Sequence, residues 1–179
     1  MRPPLRARVN LMKVILMTGT PGTGKTTTCK RIKRELKKIE KTVKILNVSE
    51  LIKKEELFEA YDADMETHII DDAHVRRRVK NIINSCRKDY LLIETHTVST
   101  IPRNAIDRAI VLTAETSVLY DRLTERNYPK CKIEENIDCE IMQVVYEEAV
   151  QRFGLEKTIC FQSPLENEAF LQILETLKD

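Results

Sequence analysis

The chain has 179 residues, enough for one domain with a sizeable core. Its composition, 42% hydrophobic and 32% charged with a net charge of +2, excludes wholesale disorder, and no apolar run reaches the ~18 residues that a membrane-spanning helix needs. The charge is unevenly laid out: residues 1–60 carry 15 basic against 6 acidic side chains, 61–133 carry 12 against 11, and 134–179 carry 3 against 11, so the basic part points to polyanionic partners.

Residues 1–11 hold two prolines, three arginines and no acid, and read as a loose basic arm ahead of a single domain at 12–179. The arm is basic like a signal peptide, but Lys13 cuts the apolar stretch and no clear cleavage site follows. The run Val14–Met17 predicts a buried strand, and a glycine-rich bend follows it. A helix is predicted from Lys25 to about Ile39, a strand over Thr42–Val48, and a short helix over Glu50–Phe58 with Ser49 as its cap. Residues 59–71 read as acidic and irregular, and Asp72 to about Cys86 as helical. Tyr90–Glu94 is a third strand, Ala109–Leu112 a fourth, Glu115–Arg126 a helix and Asn127–Lys132 a loop. Apolar residues from Ile133 to Ala149 predict one long helix ending at Gly154, before a fifth strand at Thr158–Phe161 and a closing helix at Leu165–Leu177. Short apolar strands alternating with helices predict an α/β fold, a five-stranded parallel sheet flanked by helices.

Three of the chain's four glycines fall within six residues, in Gly19-Thr20-Pro21-Gly22-Thr23-Gly24-Lys25-Thr26. This is G-x-x-x-x-G-K-[ST] between a strand and a helix, the context a phosphate-binding loop requires. Such a loop turns its N–H groups inward, the helix N-terminus adds partial positive charge, Lys25 reaches the β- and γ-phosphates, and the Thr26 hydroxyl can bind Mg²⁺. No Asn-Lys-x-Asp segment is present, which favours adenine over guanine. Glu94 ends the third strand, where a Mg²⁺-linked carboxylate is expected, and His96 lies two residues on. His96 reads either as a surface loop histidine or as a group facing the phosphates. Arg122 and Arg126 stand one helical turn apart before the 127–132 loop, as a solvated face or as a pair that closes on a migrating phosphoryl group.

The strings Leu-Met-Thr-Gly-Thr-Pro-Gly-Thr-Gly-Lys-Thr-Thr, Leu-Asn-Val-Ser-Glu-Leu, Val-Leu-Tyr-Asp-Arg-Leu-Thr-Glu-Arg-Asn-Tyr and Glu-Asn-Ile-Asp-Cys-Glu-Ile-Met-Gln-Val-Val-Tyr-Glu-Glu-Ala resemble the adenylate kinase isoenzyme 6 family, in order and register from about Met12 to Ala149. The resemblance implies a nucleoside-monophosphate-kinase fold with a monophosphate-binding arm at about 47–70 and a lid at about 125–135. It implies that Mg·ATP phosphorylates AMP, that ATP is also hydrolysed, and that the protein takes part in small ribosomal subunit assembly in cytoplasm and nucleus. Small-subunit ribosomal protein and pre-ribosomal RNA would then be partners; no membrane is involved, and a monomer is the default. By motif, Gly19, Gly22, Thr23, Gly24, Lys25, Thr26 and Thr27 would contact ATP together with Arg126, while Glu94 and Thr26 would hold Mg²⁺. Lys25, Glu94, His96, Arg122 and Arg126 are the expected catalytic set. Asn47, Lys53, Tyr61 and Asp62 are the expected acceptor contacts. Glu94 replaces the family's Asp, Thr97 a glycine, and Lys53 an arm arginine, which removes a bidentate phosphate ligand.

The remaining features stay open between bland and functional readings. Lys30, Arg34, Lys37, Lys38 and Lys41 fall near one face of the first helix, and with Arg76–Arg78 they read as solvated charge or as an RNA surface. Aromatics are only 5%, so base stacking has no support. Cys131 and Cys139 read as ordinary thiols, and His68 and His74 as surface residues. Five cysteines, an odd count with no C-x-x-C spacing, argue against a zinc site or a disulfide framework and for a reducing, intracellular setting.

Overall fold

A computed structural model describes residues 12–177, so the predicted arm at 1–11 lies outside the described residues. In chain order the elements are β1 (Lys13–Thr18), α1 (Lys25–Lys38), β2 (Val43–Asn47), α2 (Val48–Lys54), β3 (Ala60–Asp62), β4 (Thr67–Ile69) and α3 (Asp72–Ser85). They continue with β5 (Tyr90–Glu94), a 3₁₀ turn (Val98–Thr100), β6 (Arg108–Ala114), α4 (Thr116–Glu125), α5 (Lys130–Ile141), α6 (Val144–Phe153), β7 (Thr158–Ser163) and α7 (Asn167–Thr176). Five strands form one parallel sheet in the order β2-β5-β1-β6-β7. The chain leaves β1 at the centre, builds one half, then crosses to the other. The bend after β1 therefore sits at the switch point, where open α/β sheets bind ligands.

Both sheet faces are covered, which is why β1, β5 and β6 are near-continuous apolar runs, while the edge strands β2 and β7 include polar residues. Val14 and Leu16 face a core made with α2, α3 and α6, through residues such as Leu51, Val79, Ile82, Ala149 and Phe153. Ile15 and Met17 face the other core, with Cys29, Ile32 and Leu36 of α1 and Phe170 and Ile173 of α7. Each large side chain buried there contributes about 1.5–3 kcal/mol. A third cluster, Leu119, Leu123 and Ile133 with Tyr128 and Ile137, ties α4 to α5 independently of the sheet.

The structure corrects several predicted elements. Asn47, not Ser49, caps α2: its side-chain oxygen accepts the Glu50 N–H at 3.0 Å, and the helix begins two residues earlier than predicted. Residues 59–71 are not irregular but carry the antiparallel hairpin β3–β4, with Tyr61 opposite His68. The predicted helix ending at Gly154 is two helices, α5 and α6. They break at Met142–Gln143, where Gln143 takes the left-handed conformation (φ 53°). The first turn of α5 also occupies part of the predicted 127–132 loop.

The glycine bend is fixed by its neighbours as well as by its dihedrals. A Cβ on Gly19 (φ +137°) would lie 2.1 Å from the backbone carbonyl oxygen of Leu112, which cannot retreat without breaking β6. A Cβ on Gly22 (φ +97°) would lie 2.6 Å from Leu119 Cδ1, a side-chain terminus that can rotate. Gly19→Ala should therefore lower unfolding stability by about 2–4 kcal/mol and Gly22→Ala by less. Urea denaturation checks this ordering; equal stability of the two variants would contradict the packing.

Candidate functional site

Strand register assembles the site before any side chain is considered. Glu94 lies opposite Met17 on one side and opposite Asn47 on the other, so the carboxyl edge of the sheet aligns the start of the glycine bend, a carboxylate and an amide. The bend closes on itself: the Thr23 N–H and hydroxyl both donate to the Thr20 carbonyl, at 3.2 and 2.9 Å. Gly24 then enters α1 in a left-handed conformation, and no acidic residue stands in the helix's first turn. The uncapped amides there carry the positive end of the helix dipole.

Lys25 is 8% exposed and donates from Nζ to the carbonyls of Gly19 (2.7 Å) and Thr20 (3.0 Å). Burial, opposed by Glu94 and aided by Arg126, lowers its pKa from 10.5 to about 8. Thr26 donates its hydroxyl to Glu94 Oε1 in a short hydrogen bond. A hydroxyl and a carboxylate side by side are hard oxygen donors that suit Mg²⁺, so the residues fit the ion that the motif implies. Burial, helped by Glu94, raises the Cys29 pKa, so this thiol is protonated.

Two cavities meet above this edge. One, about 300 Å³, lies on the bend and is walled by Gly22, Gly24, Lys25, Thr26, Thr27, Asn47, Glu94, Arg126 and the shared residues below. The other, about 630 Å³, is walled by Ile52, Lys53, Tyr61, Glu66, His68, Ile70 and Thr97. Ser49, Thr67, Thr95, His96, Tyr128 and Lys132 line both. A wider hollow of about 960 Å³ lies at the opposite end of the strands, around Val14, Asp89 and Asp107, away from the bend.

The predicted site residues divide among these places. Arg126 lines the bend cavity, whereas Arg122 donates to the Gly22 carbonyl (3.0 Å) and to Ser163 Oγ (3.3 Å). The two arginines, one turn apart, thus have different roles: Arg122 braces the bend from behind and lines neither cavity. Asp62 also lines neither, since its carboxylate accepts the Asp64 and Met65 N–H groups and shapes the β3–β4 turn. Asn47 caps α2 and lines the bend cavity; Lys53 and Tyr61 line the second cavity. Partial desolvation against the cleft wall, then the Lys25 and Lys132 charges, lower the pKa of His96, whose ring is exposed on its open side and neutral at pH 7.

His68 lies on the exposed hairpin but is half-buried. It stacks on Phe58 (ring centroids 4.3 Å apart) beside Tyr61, and its Nδ1 is buried without a partner among the described residues. Lys132 was not singled out in the sequence. Its Nζ donates to the Glu66 carbonyl at 2.9 Å and lies 4.4 Å from the Tyr128 ring centre, which joins the start of α5 to the hairpin. The available signal was electrostatic: α5 begins with Lys130 and Lys132 and has no acid in its first turn, contrary to the helix dipole.

These charges fix a pH dependence. Lys25 must be protonated to hold phosphate, so kcat/KM for ATP should be constant below and fall above an apparent pKa near about 8 in the free protein. A profile that stays flat to pH 10 would contradict the buried-ammonium geometry.

The site can be compared with known proteins. A family model described as "AAA domain" matches residues 15–143. The adenylate kinase isoenzyme 6 homologue of Saccharomyces cerevisiae is 36% identical over 149 residues, covering 83% of this chain and 72% of that protein. The Drosophila melanogaster homologue is 33% identical over 166 residues, covering 92% and 89%. A shikimate kinase structure from Bacteroides thetaiotaomicron superposes with a TM-score of 0.56 at 17% identity, over 93% of this chain and 96% of that one, a likeness of fold. Family model, relatives and fold agree with the site geometry: the chain belongs to the adenylate kinase isoenzyme 6 family of P-loop nucleotide kinases.

Proposed function

We propose that the protein transfers the γ-phosphoryl group of Mg·ATP to AMP, giving two ADP, and that water replaces AMP as acceptor when the second cavity is empty. The observation that carries this reading is the pair of cavities sharing His96, Tyr128 and Lys132. A donor on the glycine bend and an acceptor beneath the hairpin would present their phosphates to one another at that common wall, which supplies the proximity that phosphoryl transfer needs.

The residues take roles that follow from their places. Lys25 exchanges its two carbonyl partners for phosphate oxygens, aided by the bend's N–H groups and the amino end of α1. Thr26 and Glu94 would hold Mg²⁺, which neutralises phosphate charge when bound. Neutral His96 can donate its ring N–H to an acceptor phosphate oxygen or accept a hydrogen bond from an attacking water, and Arg126 faces the developing charge. Arg122 keeps the Gly22 carbonyl turned away from the phosphates. The α2–β4 excursion serves as the acceptor arm, and 125–135 as the lid.

One observation favours a second reading. The cations lining the acceptor cavity are lysines, Lys53 and Lys132, with no arginine among them. Lysines hold a monophosphate as point charges, without a bidentate fork. Weak acceptor binding would leave an ATPase whose nucleotide state controls its grip on a small-subunit ribosomal protein or pre-ribosomal RNA. The basic face of α1 is a thinner basis for such a contact than the sequence suggests, because Glu35 pairs with both Arg34 and Lys38.

Steady-state assays separate the two readings. On the kinase reading, AMP accelerates ATP consumption and each ATP consumed with AMP yields two ADP. If AMP neither accelerates consumption nor becomes ADP, the kinase reading fails. Lys25→Ala should abolish transfer and hydrolysis, by about 10³-fold or more, without lowering the melting temperature, because the removed ammonium is itself desolvated.

A further inference from the structure

The carboxylate of Glu140 stands in the last turn of α5, the end at which the helix dipole disfavours negative charge. Two contacts hold it there. Oε2 accepts the hydroxyl of Thr20 at 2.5 Å, and Oε1 accepts the backbone N–H of Ala114 at 2.6 Å. Thr20 belongs to the glycine bend, and Ala114 ends β6 beside it. The helix breaks three residues later, at left-handed Gln143, so α5 lies across the bend instead of continuing into α6.

Thr20 is the pivot of the bend. It is 1% exposed, and its carbonyl accepts Lys25 Nζ, Thr23 N–H and the Thr23 hydroxyl. Anchoring its side chain therefore fixes the residue that sets the bend's curvature and holds the catalytic ammonium. The other end of α5 carries Lys132, at the wall common to both cavities. One helix thus touches the phosphate loop at its carboxyl end and the meeting point of the two clefts at its amino end.

We infer that Glu140 is a positioning residue: through Thr20 and Ala114 it uses α5 to hold the phosphate loop in the shape that receives the ATP phosphates. The inference rests on the phosphoryl-transfer reading. The loop holds phosphate in the ground state as well as the transition state, so loosening it removes uniform binding, which raises KM and spares kcat. A purely structural role would instead lower the active fraction, reducing apparent kcat at unchanged KM.

The test measures kcat, KM for ATP and ATP affinity by calorimetry for the wild type, Glu140→Ala, Glu140→Gln, Thr20→Val and the Glu140→Ala/Thr20→Val double variant. Glu140→Ala should raise KM and Kd for ATP roughly 10- to 100-fold, the cost of a charge-assisted hydrogen bond, with a much smaller change in kcat. Glu140→Gln, which keeps an acceptor for Ala114 and a polar partner for Thr20, should recover most of the affinity. Thr20→Val should reproduce much of the Glu140→Ala effect, and the double variant should fall well short of the product of the singles. Unchanged ATP affinity in Glu140→Ala, no rescue by Gln, or fully multiplicative effects would overturn the inference. A wild type that binds ATP without transferring phosphoryl would sink the transfer reading alone, and the affinity arm would still decide the role of Glu140.

Discussion

A largely buried lysine ammonium governs this structure. Lys25 sits at the mouth of α1, held by two carbonyl oxygens of the bend that precedes it. Burial moves its pKa from 10.5 to about 8, a bias of about 3 kcal/mol against its charged form. On the proposed function, a polyphosphate would bring full negative charge to the same point and favour the charged form of the ammonium. The apolar strands, the two cores and the glycine bend together bury that ammonium at the edge of the bend cavity.

The parallel sheet extends this constraint into a site. Register alone sets Glu94 between Met17 and Asn47, and Glu94 in turn meets Thr26. Around this fixed edge the chain makes two excursions, α2 with the hairpin and α4 with α5. They meet through the Lys132 contact with the Glu66 carbonyl. On the proposed function, the sheet edge and the start of α1 would place the donor groups and the two excursions the acceptor side.

Much of this was legible in the sequence, for identifiable reasons. Val14–Met17 and Tyr90–Glu94 are short apolar runs that only a doubly covered strand explains, and Gly19, Gly22 and Gly24 stand where the backbone needs them. The five strands and the bend followed from these features. The break at Met142–Gln143 was not legible, because neither residue is a glycine or proline and the apolar spacing runs through it. Short strands such as Ala60–Asp62 lie below what alternation can detect. Arg122 has phosphate-binding chemistry and Asp62 lies in the predicted acceptor arm, but local geometry commits Asp62 to a turn and Arg122 to the bend's own carbonyl. Glu140 was missed because its contacts cross a long sequence separation, which no local pattern encodes, and Lys132 because the only local sign was a basic first turn in a stretch read as a loop.

The most direct measurement is a crystal structure with two adenosines joined by a chain of five phosphates. The account predicts one nucleoside in each cavity, phosphates along the bend, and the Lys25 ammonium transferred from the Gly19 and Thr20 carbonyls to phosphate oxygens. A ligand seated elsewhere, with Lys25 still on its carbonyls, would contradict it.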